Sequence, residues 1–224
     1  MNWMTVGLTL ASMEAIRAEN KILTSLSVKP TRLVEGPLVS VIIPAYNEER
    51  YLPALLKAIE NQTYTPIEVI VVDNMSKDNT INVAESYGAK VLINTVPANI
   101  NLSRNIGAVN SNGRYLVFID ADTIPESSVI EKTVIALQGS ADLVYTNKCS
   151  TDNHLISLLR VTSGWFDPGR WTSTGCYLAV RREVFESVGG FDESLNPLTG
   201  LKEDGRTFTN VLFESGYNIQ MLKG

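Results

Sequence analysis

The tripeptide Asp120-Ala121-Asp122 places two carboxylates one residue apart, directly after the apolar run Tyr115-Leu116-Val117-Phe118-Ile119. Like charges at this spacing repel, and burial beside a hydrophobic strand adds a desolvation cost, so the pair needs a compensating partner. A hard divalent cation is the natural one. Mg²⁺ or Mn²⁺ prefers oxygen ligands, and Mg²⁺ is commonly held by one or two carboxylates while phosphates and water complete its shell. An Asp-x-Asp tripeptide is a weak signal by itself and often lies on a solvated turn. Its place at the end of an apolar strand is what favours a role with a metal and a diphosphate.

Two further groups stand at the ends of apolar runs. Asp73 closes the run Ile67 to Val72, where it serves either as a strand-end cap or as a ligand group. Pro44-Ala45-Tyr46-Asn47-Glu48-Glu49 follows the first run and offers an aromatic face and several hydrogen-bonding groups at a helix start. Neither GxxxxGK[ST] nor GxGxxG occurs, so P-loop and dinucleotide-binding readings fall away, and the first strand end suits a nucleoside better than a pyrophosphate.

The elements that must position these residues alternate: short runs rich in Val and Ile separate longer amphipathic segments, the pattern of an α/β fold with a mostly parallel central sheet flanked by helices. The first strand is read over 38–43, stopped by Pro44, with a helix over 48–60 that Asn47 caps. Asp78, Asn79 and Thr80 start a second helix closing near Gly88, and Lys90 to Ile93 is a short strand. Residues 98–110 form a helix, and Pro125 opens another that reaches Gln138. Beyond Leu143-Val144-Tyr145 the pattern fades until Gly175, a stretch that reads as a long substrate-facing loop holding Trp165, Phe166 and Trp171. A strand over Cys176 to Val180, a helix over 181–188, the turn Gly189-Gly190-Phe191-Asp192 and a helix over 203–214 complete the chain. In open α/β sheets ligands lie at the carboxyl ends of strands, where Asp73 and Asp120 both fall.

Composition narrows the class. With 224 residues and 44% hydrophobic content, one substantial core fits and a second full domain does not. The 19 basic and 24 acidic residues leave a net charge of -5 with no long basic run, which excludes nucleic acid as a partner. Cys149 and Cys176 make neither a CxxC nor a disulfide framework, as expected in the reducing cytoplasm, whether free there or at the cytoplasmic face of the membrane. The uncharged stretch Met1 to Met13 is shorter than the roughly 20 apolar residues a membrane-spanning helix needs, and the first basic residue is Arg17, unlike a secretory signal. Leu10, Met13, Ile16, Leu23 and Leu26 recur at helical intervals, so residues 1–36 read as an amphipathic helical extension. It would dock on its own domain or on a second subunit as a homo-oligomer, or lie on a membrane surface.

Taken in order, Val39-Ser40-Val41-Ile42-Ile43-Pro44-Ala45-Tyr46-Asn47-Glu48, Glu68-Val69-Ile70-Val71-Val72-Asp73-Asn74, Asn101-Leu102-Ser103-Arg104-Asn105-Ile106-Gly107-Ala108, Tyr115 to Asp122, and Gly189-Gly190-Phe191-Asp192-Glu193 with Glu203-Asp204 resemble a family 2 glycosyltransferase of the GT-A fold. The resemblance covers residues 38–218 and divides the catalytic domain, 37–224, into a nucleotide-binding half, 37–145, and an acceptor half, 146–224. It implies an inverting transfer of sugar from a UDP- or GDP-type nucleotide sugar to a hydroxyl of an unidentified glycan, lipid or protein, assisted by Mn²⁺ or Mg²⁺. It further implies that Pro44, Tyr46, Glu48, Asp73 and Arg104 lie around the nucleotide, with Asp73 on the base. Asp120 reaches the ribose or the metal, Asp122 is the metal ligand proper, and Asp204 is the general base. Glu203 and Asp204 would alternatively cap the helix they begin. Trp165 and Trp171, with Glu203, are acceptor-site candidates, the tryptophans able to stack on a sugar or to pack the loop.

The chain departs from the family pattern at Met75, where glycine is frequent, and at Arg206 and Asn210 after the Glu-Asp pair, and no histidine follows Asp204. His154 lies in the variable stretch as a surface or acceptor-site residue. The rival readings are a nucleotidyltransferase, which would normally carry a glycine-rich activating loop after the first strand, and a catalytically degenerate GT-A domain that only binds nucleotide.

Overall fold

Alternating Val and Ile residues build a seven-stranded sheet that is apolar on both faces, and the helices between the strands cover it. The computed structural model describes residues 36–146, 177–194 and 204–222, the side chains of 204–207 excepted, all within one compact unit spanning Arg32–Gly224. Its strands are β1 (Val39–Ala45), β2 (Ile67–Asp73), β3 (Lys90–Ile93), β4 (Tyr115–Ile119), β5 (Leu143–Tyr145), β6 (Tyr177–Arg181) and β7 (Ile219–Met221). The helices are α1 (Leu52–Glu60), α2 (Thr80–Ser86), α3 (Ile100–Val109), α4 (Val129–Gln138), α5 (Arg182–Ser187) and α6 (Asp204–Glu214).

The strand order is β3-β2-β1-β4-β6-β5-β7. β1 pairs in parallel with β2 and β4, setting Val41 beside both Val69 and Val117. The chain thus runs outward through β2 and β3 on one side of β1 and resumes with β4 on the other. This reversal opens a crevice at the carboxyl ends of β1 and β4, the place where open α/β sheets bind ligands. β6 runs antiparallel to β4 and β5, so the parallel expectation holds for the first four strands and gives way beyond them.

Each face carries its own core. Val39, Val41 and Ile43 of β1 pack with Leu52, Leu55, Ile59 and Tyr64 and with Ile130, Val134 and Leu137 of α4. Ile42, Val72, Leu116 and Phe118 face the other way, toward Ala108, Phe185, Phe191, Phe208 and Leu212. Helix α3 sits close on this second face: a Cβ added to Gly107 would lie 2.4 Å from Ile42 Cγ2.

Several local expectations are corrected. Pro44 does not stop β1; it lies within the strand, opposite Val72. Asn47 does not cap α1, whose N-cap is Tyr51; Asn47 adopts φ 56 and its Oδ1 accepts a hydrogen bond from the Lys77 N–H at 2.8 Å. Helix α4 starts at Val129 rather than at Pro125, because residues 125–128 form a turn held from elsewhere in the chain. The Thr63 N–H donates to Ser127 O, and the buried Gln62 accepts from the Ile130 N–H at 3.2 Å, capping the helix from a distance. Strand β7 lacks a sequence signal of its own and forms by pairing with β5.

At the amino ends of the strands, the Glu68 carboxylate accepts from Ser40 Oγ at 2.6 Å, from the Asn112 N–H at 2.6 Å and from the Gly113 N–H at 3.1 Å. Burial works to raise its pKa, but these hydrogen bonds together outweigh it and hold the carboxyl below its ordinary value. The stabilisation is therefore complete above the unfolded-state pKa of about 4.5 and fades as pH falls through the lower folded value. Glu68→Ala is expected to cost roughly 1–2 kcal/mol at pH 7, a deficit that narrows below about pH 4, read by urea unfolding at several pH values. Gly107→Ala is expected to cost about 1–3 kcal/mol by overpacking α3 on β1, seen as a lowered Tm.

Candidate functional site

Strand β4 delivers Asp120 to the crevice, and the Thr123 N–H closes back onto Asp120 O at 3.0 Å, so that Asp122 sits on the same tight turn. From α3, Arg104 reaches across, its Nη2 bonding Asp120 Oδ1 at 3.1 Å, with side chains 4% and 32% exposed respectively. Its guanidinium also lies 5.3 Å from the centroid of the Phe191 ring. A cation so far removed from water needs its carboxylate partner, and the pair fixes Asp120 in place.

The loop after β1 brings a third carboxylate. It is zipped to the loop after β2: the Asn47 N–H donates to Ser76 Oγ at 2.8 Å, the Glu48 N–H to Thr80 Oγ1 at 2.8 Å, and the Glu49 N–H to Asp78 Oδ2 at 3.1 Å. In return the Asn79 N–H donates to Glu49 Oε2 at 2.9 Å. This frame holds Glu48 half-buried beside Asp122, Asp78 and Asp120; burial, then the field of those three carboxylates in that order, pushes its pKa up to about 7. Asp78 goes the other way, held below its ordinary value because hydrogen bonds from Thr80 and Glu49 outweigh its slight burial.

Four carboxylates on two loops and a strand end make the crevice an electrostatically negative site. Among the described residues no three His, Cys, Asp or Glu side chains close into a ready metal cage. Asp122 and Asp120 are the carboxylates here that could hold a Mg²⁺ or Mn²⁺ ion, whose remaining ligands would then be water and phosphate oxygens.

Beside this acidic centre lies a separate acceptor. Asp73 ends β2 next to Ala45 and is fully buried; its Oδ2 accepts from the Ser76 N–H at 2.9 Å, while Oδ1 has no hydrogen-bond partner among the described residues. A buried carboxylate oxygen left without a donor is costly, and a ligand N–H or O–H would satisfy it. The surrounding wall is built by asparagines. Asn74 Nδ2 donates to Asn94 O and Val96 O, its Oδ1 accepts from the Ala98 N–H at 2.8 Å, and Asn94 Nδ2 donates to Ser103 Oγ at 2.9 Å, so the loop after β3 is stitched to Asp73's own turn. Met75 takes the left-handed backbone, φ 60, that glycine would favour, so the turn is kept at the cost of strain. Tyr46, the residue after β1, is 54% exposed, and Pro44 within β1 is half-buried.

Tertiary structure thus gathers Glu48, Arg104, Asp120 and Asp122, and sets Asp73 with Tyr46 alongside. Asp204 is the first residue of α6, its side chain outside the description. Glu203, Trp165, Trp171, Phe166, His154, Cys149 and Cys176 lie outside the described residues. Sequence reasoning passed over Asp78 as a helix start and did not single out Asn74, Asn94 or Asn105, since an asparagine near a turn carries no signal of its distant partner.

The model of the family described as "Glycosyl transferase family 2" matches residues 40–189. The glycosyltransferase AglE of Haloferax volcanii is 32% identical over 174 residues, covering 71% of this chain and 57% of that protein. The chain spans about half the length of the curated relatives it matches. Among solved structures, the Pyrobaculum calidifontis mannosyltransferase PcManGT in complex with GDP-Man and Mn²⁺ superposes with a TM-score of 0.63 at 22% identity, covering 97% of this chain and 65% of that one. S. aureus TarS 1-349 in complex with UDP-GlcNAc gives 0.62 at 20% identity, covering 82% and 55%. These likenesses are to the fold, the GT-A arrangement of a seven-stranded sheet between helices. With the family's own model matching from β1 through α5, the chain belongs to glycosyl transferase family 2.

Proposed function

We propose that the chain transfers a hexosyl group from a UDP- or GDP-type nucleotide sugar to a hydroxyl acceptor, with inversion at the anomeric carbon. The observation that carries this reading is the division of the crevice into two sites: an acidic centre at Asp120 and Asp122, and the buried, donor-less Oδ1 of Asp73 alongside. The first suits a cation and a diphosphate; the second suits the N–H of a base. A relative that binds GDP-Man with Mn²⁺ and one that binds UDP-GlcNAc, both of this fold, support the substrate class without choosing between the two nucleotides.

In this reading Asp73 and Tyr46 hold the nucleoside, and the Arg104–Asp120 pair orients the Asp120-Ala121-Asp122 turn toward the diphosphate. Mn²⁺ or Mg²⁺, when bound by Asp122 and Asp120, supplies neutralisation of charge on the departing nucleoside diphosphate. Asp204 takes the proton from the acceptor hydroxyl as its oxygen bonds the anomeric carbon and the carbon–oxygen bond to the β-phosphate breaks. The residues 146–224 form the acceptor half, with Trp165, Trp171 and Glu203 at the acceptor, and the acceptor is a glycan, lipid or protein hydroxyl. Residues 1–36, expected as a helical extension that docks on its own domain or a second copy or lies on a membrane surface, fall outside the described residues but for Gly36. Among the described residues no helix is long and apolar enough to cross a membrane; a cytoplasmic location is part of the proposal and rests on cysteine usage.

Screening nucleotide sugars with Mn²⁺ and identifying the product tests the reaction: a nucleoside diphosphate is expected, and pyrophosphate would point to a nucleotidyltransferase instead. Asp122→Ala is expected to lower turnover by about 100-fold or more, about 2.7 kcal/mol in barrier, and to remove the metal dependence. Full metal-dependent turnover in that variant would overturn the mechanism. Asp73→Asn is expected to weaken UDP or GDP binding by roughly 10-fold in calorimetry while turnover at saturating donor changes little.

A further inference from the structure

Helix α3 and its N-cap, Asn99, spend three asparagines on one short segment. Asn99 Nδ2 donates to Glu193 O at 3.0 Å, and Asn101 Nδ2 donates to Asp192 O at 2.8 Å. Asn105 does most: its Nδ2 donates to Phe191 O at 2.9 Å and to Glu193 Oε1 at 2.8 Å, while its Oδ1 accepts from the Phe191 N–H at 3.0 Å. One side chain therefore holds both backbone polar groups of Phe191, as a neighbouring strand would, and fixes that residue in rotation as well as in position. Gly190 makes this possible. It takes φ 76, and a Cβ there would lie 2.8 Å from Asn105 Oδ1.

Phe191 is a junction. Its ring lies 5.3 Å from the guanidinium carbon of Arg104, the residue before Asn105, and Arg104 holds Asp120. The same ring packs on Phe208 of α6 at a centroid separation of 4.5 Å and edge-on to Phe118 of β4 at 4.9 Å. Consecutive residues of α3 thus grip the acidic centre with one side chain and, with the next, the residue against which the first turns of α6 are seated. Asp204 begins that helix.

We infer that Asn105 is a positioning residue: by clamping Phe191 it sets α6, and with it Asp204, relative to the Arg104–Asp120 pair, so that the acceptor side and the donor side of the site are held in one register. The inference rests on the reading of Asp204 as general base. Asn105 touches no reacting atom in it. A misplacement of about 1 Å at a proton-accepting group is enough to lower turnover on the order of 100-fold without weakening donor binding. The clamp therefore acts on kcat and not on the donor's KM.

The test uses the full chain, Mn²⁺ and hydrolysis of UDP-GlcNAc or GDP-mannose, whichever the screen shows to be cleaved; water stands in for the acceptor hydroxyl and yields its proton to Asp204 as the nucleoside diphosphate leaves. Asn105→Ala is expected to lower kcat at least about 10-fold, with KM and nucleotide affinity within about twofold of the parent. Amide hydrogen exchange should quicken over 190–194 and 208–214 while β1, β2 and β4 stay protected. Asn105→Asp turns a carboxylate toward Phe191 O and Glu193 and should be worse. Adding Glu193→Gln, which returns a donor across the same contact, should recover much of that loss, and this swapped pair decides the matter if Asn105→Ala fails to fold. An unchanged kcat, a loss that follows a global fall in Tm with exchange quickened throughout the sheet, or a swapped pair no better than Asn105→Asp would each overturn the inference. Asp204→Asn separates the two ideas. If it hydrolyses at the parental rate, the base assignment fails, and local exchange in Asn105→Ala still reports on the clamp; if it is inactive while Asn105→Ala is not, the clamp fails.

Discussion

The side chain of Arg104 is 4% exposed, and a guanidinium so far removed from water persists only with a carboxylate against it. That requirement joins α3 to the end of β4, because the carboxylate is Asp120. Everything around the crevice is arranged to make the pairing possible. Gly107, three residues on, lets α3 lie close against Ile42 and Val72, and the Phe191 ring covers the guanidinium's flank. A looser α3 would hydrate Arg104 and release the turn that presents Asp122.

The same centre carries more negative charge than one arginine balances. Glu48, brought in by the loop after β1, sits with its pKa near 7 because burial and the charges of Asp122, Asp78 and Asp120 all oppose its ionisation. The protein maintains this unfavourable concentration with hydrogen bonds in which three successive backbone N–H groups, those of Asn47, Glu48 and Glu49, donate to Ser76, Thr80 and Asp78. Charge repulsion held in place by a rigid frame is a form of preorganisation: the cost is met on folding, and a cation entering the crevice would relieve it.

Buried and half-buried asparagines give the site its rigidity. Asn74 and Asn94 tie the loop after β3 to the turn that carries Asp73, and Asn99, Asn101 and Asn105 tie α3 to residues 191–193. An amide that both donates and accepts can replace a strand's worth of pairing where no strand runs, which is why irregular segments on both flanks stay in register with the sheet. These bonds join residues far apart in the chain, so they act only once the sheet has assembled.

Much of the fold was legible in local pattern. β3 and β4 fall where their apolar runs lie, bounded by turn residues, and Asp73, Asp120 and Asp122 stand at strand ends as their positions indicate. Helix starts were less legible: Pro125 is a sound local signal, but α4 begins at Val129 because Gln62 caps it from another part of the chain. By itself the sequence determined which residues end strands, and therefore which carboxylates are offered at the carboxyl edge of a sheet. Only the tertiary structure decided that Glu48 and Asp78 join Asp120 and Asp122, that Arg104 spends its charge on Asp120, and that Asp73 keeps an oxygen open. Alternation of apolar residues specifies a strand's faces and says nothing about its neighbours; the order β2-β1-β4, set by how the helices cover both faces, is what brings distant strand ends together.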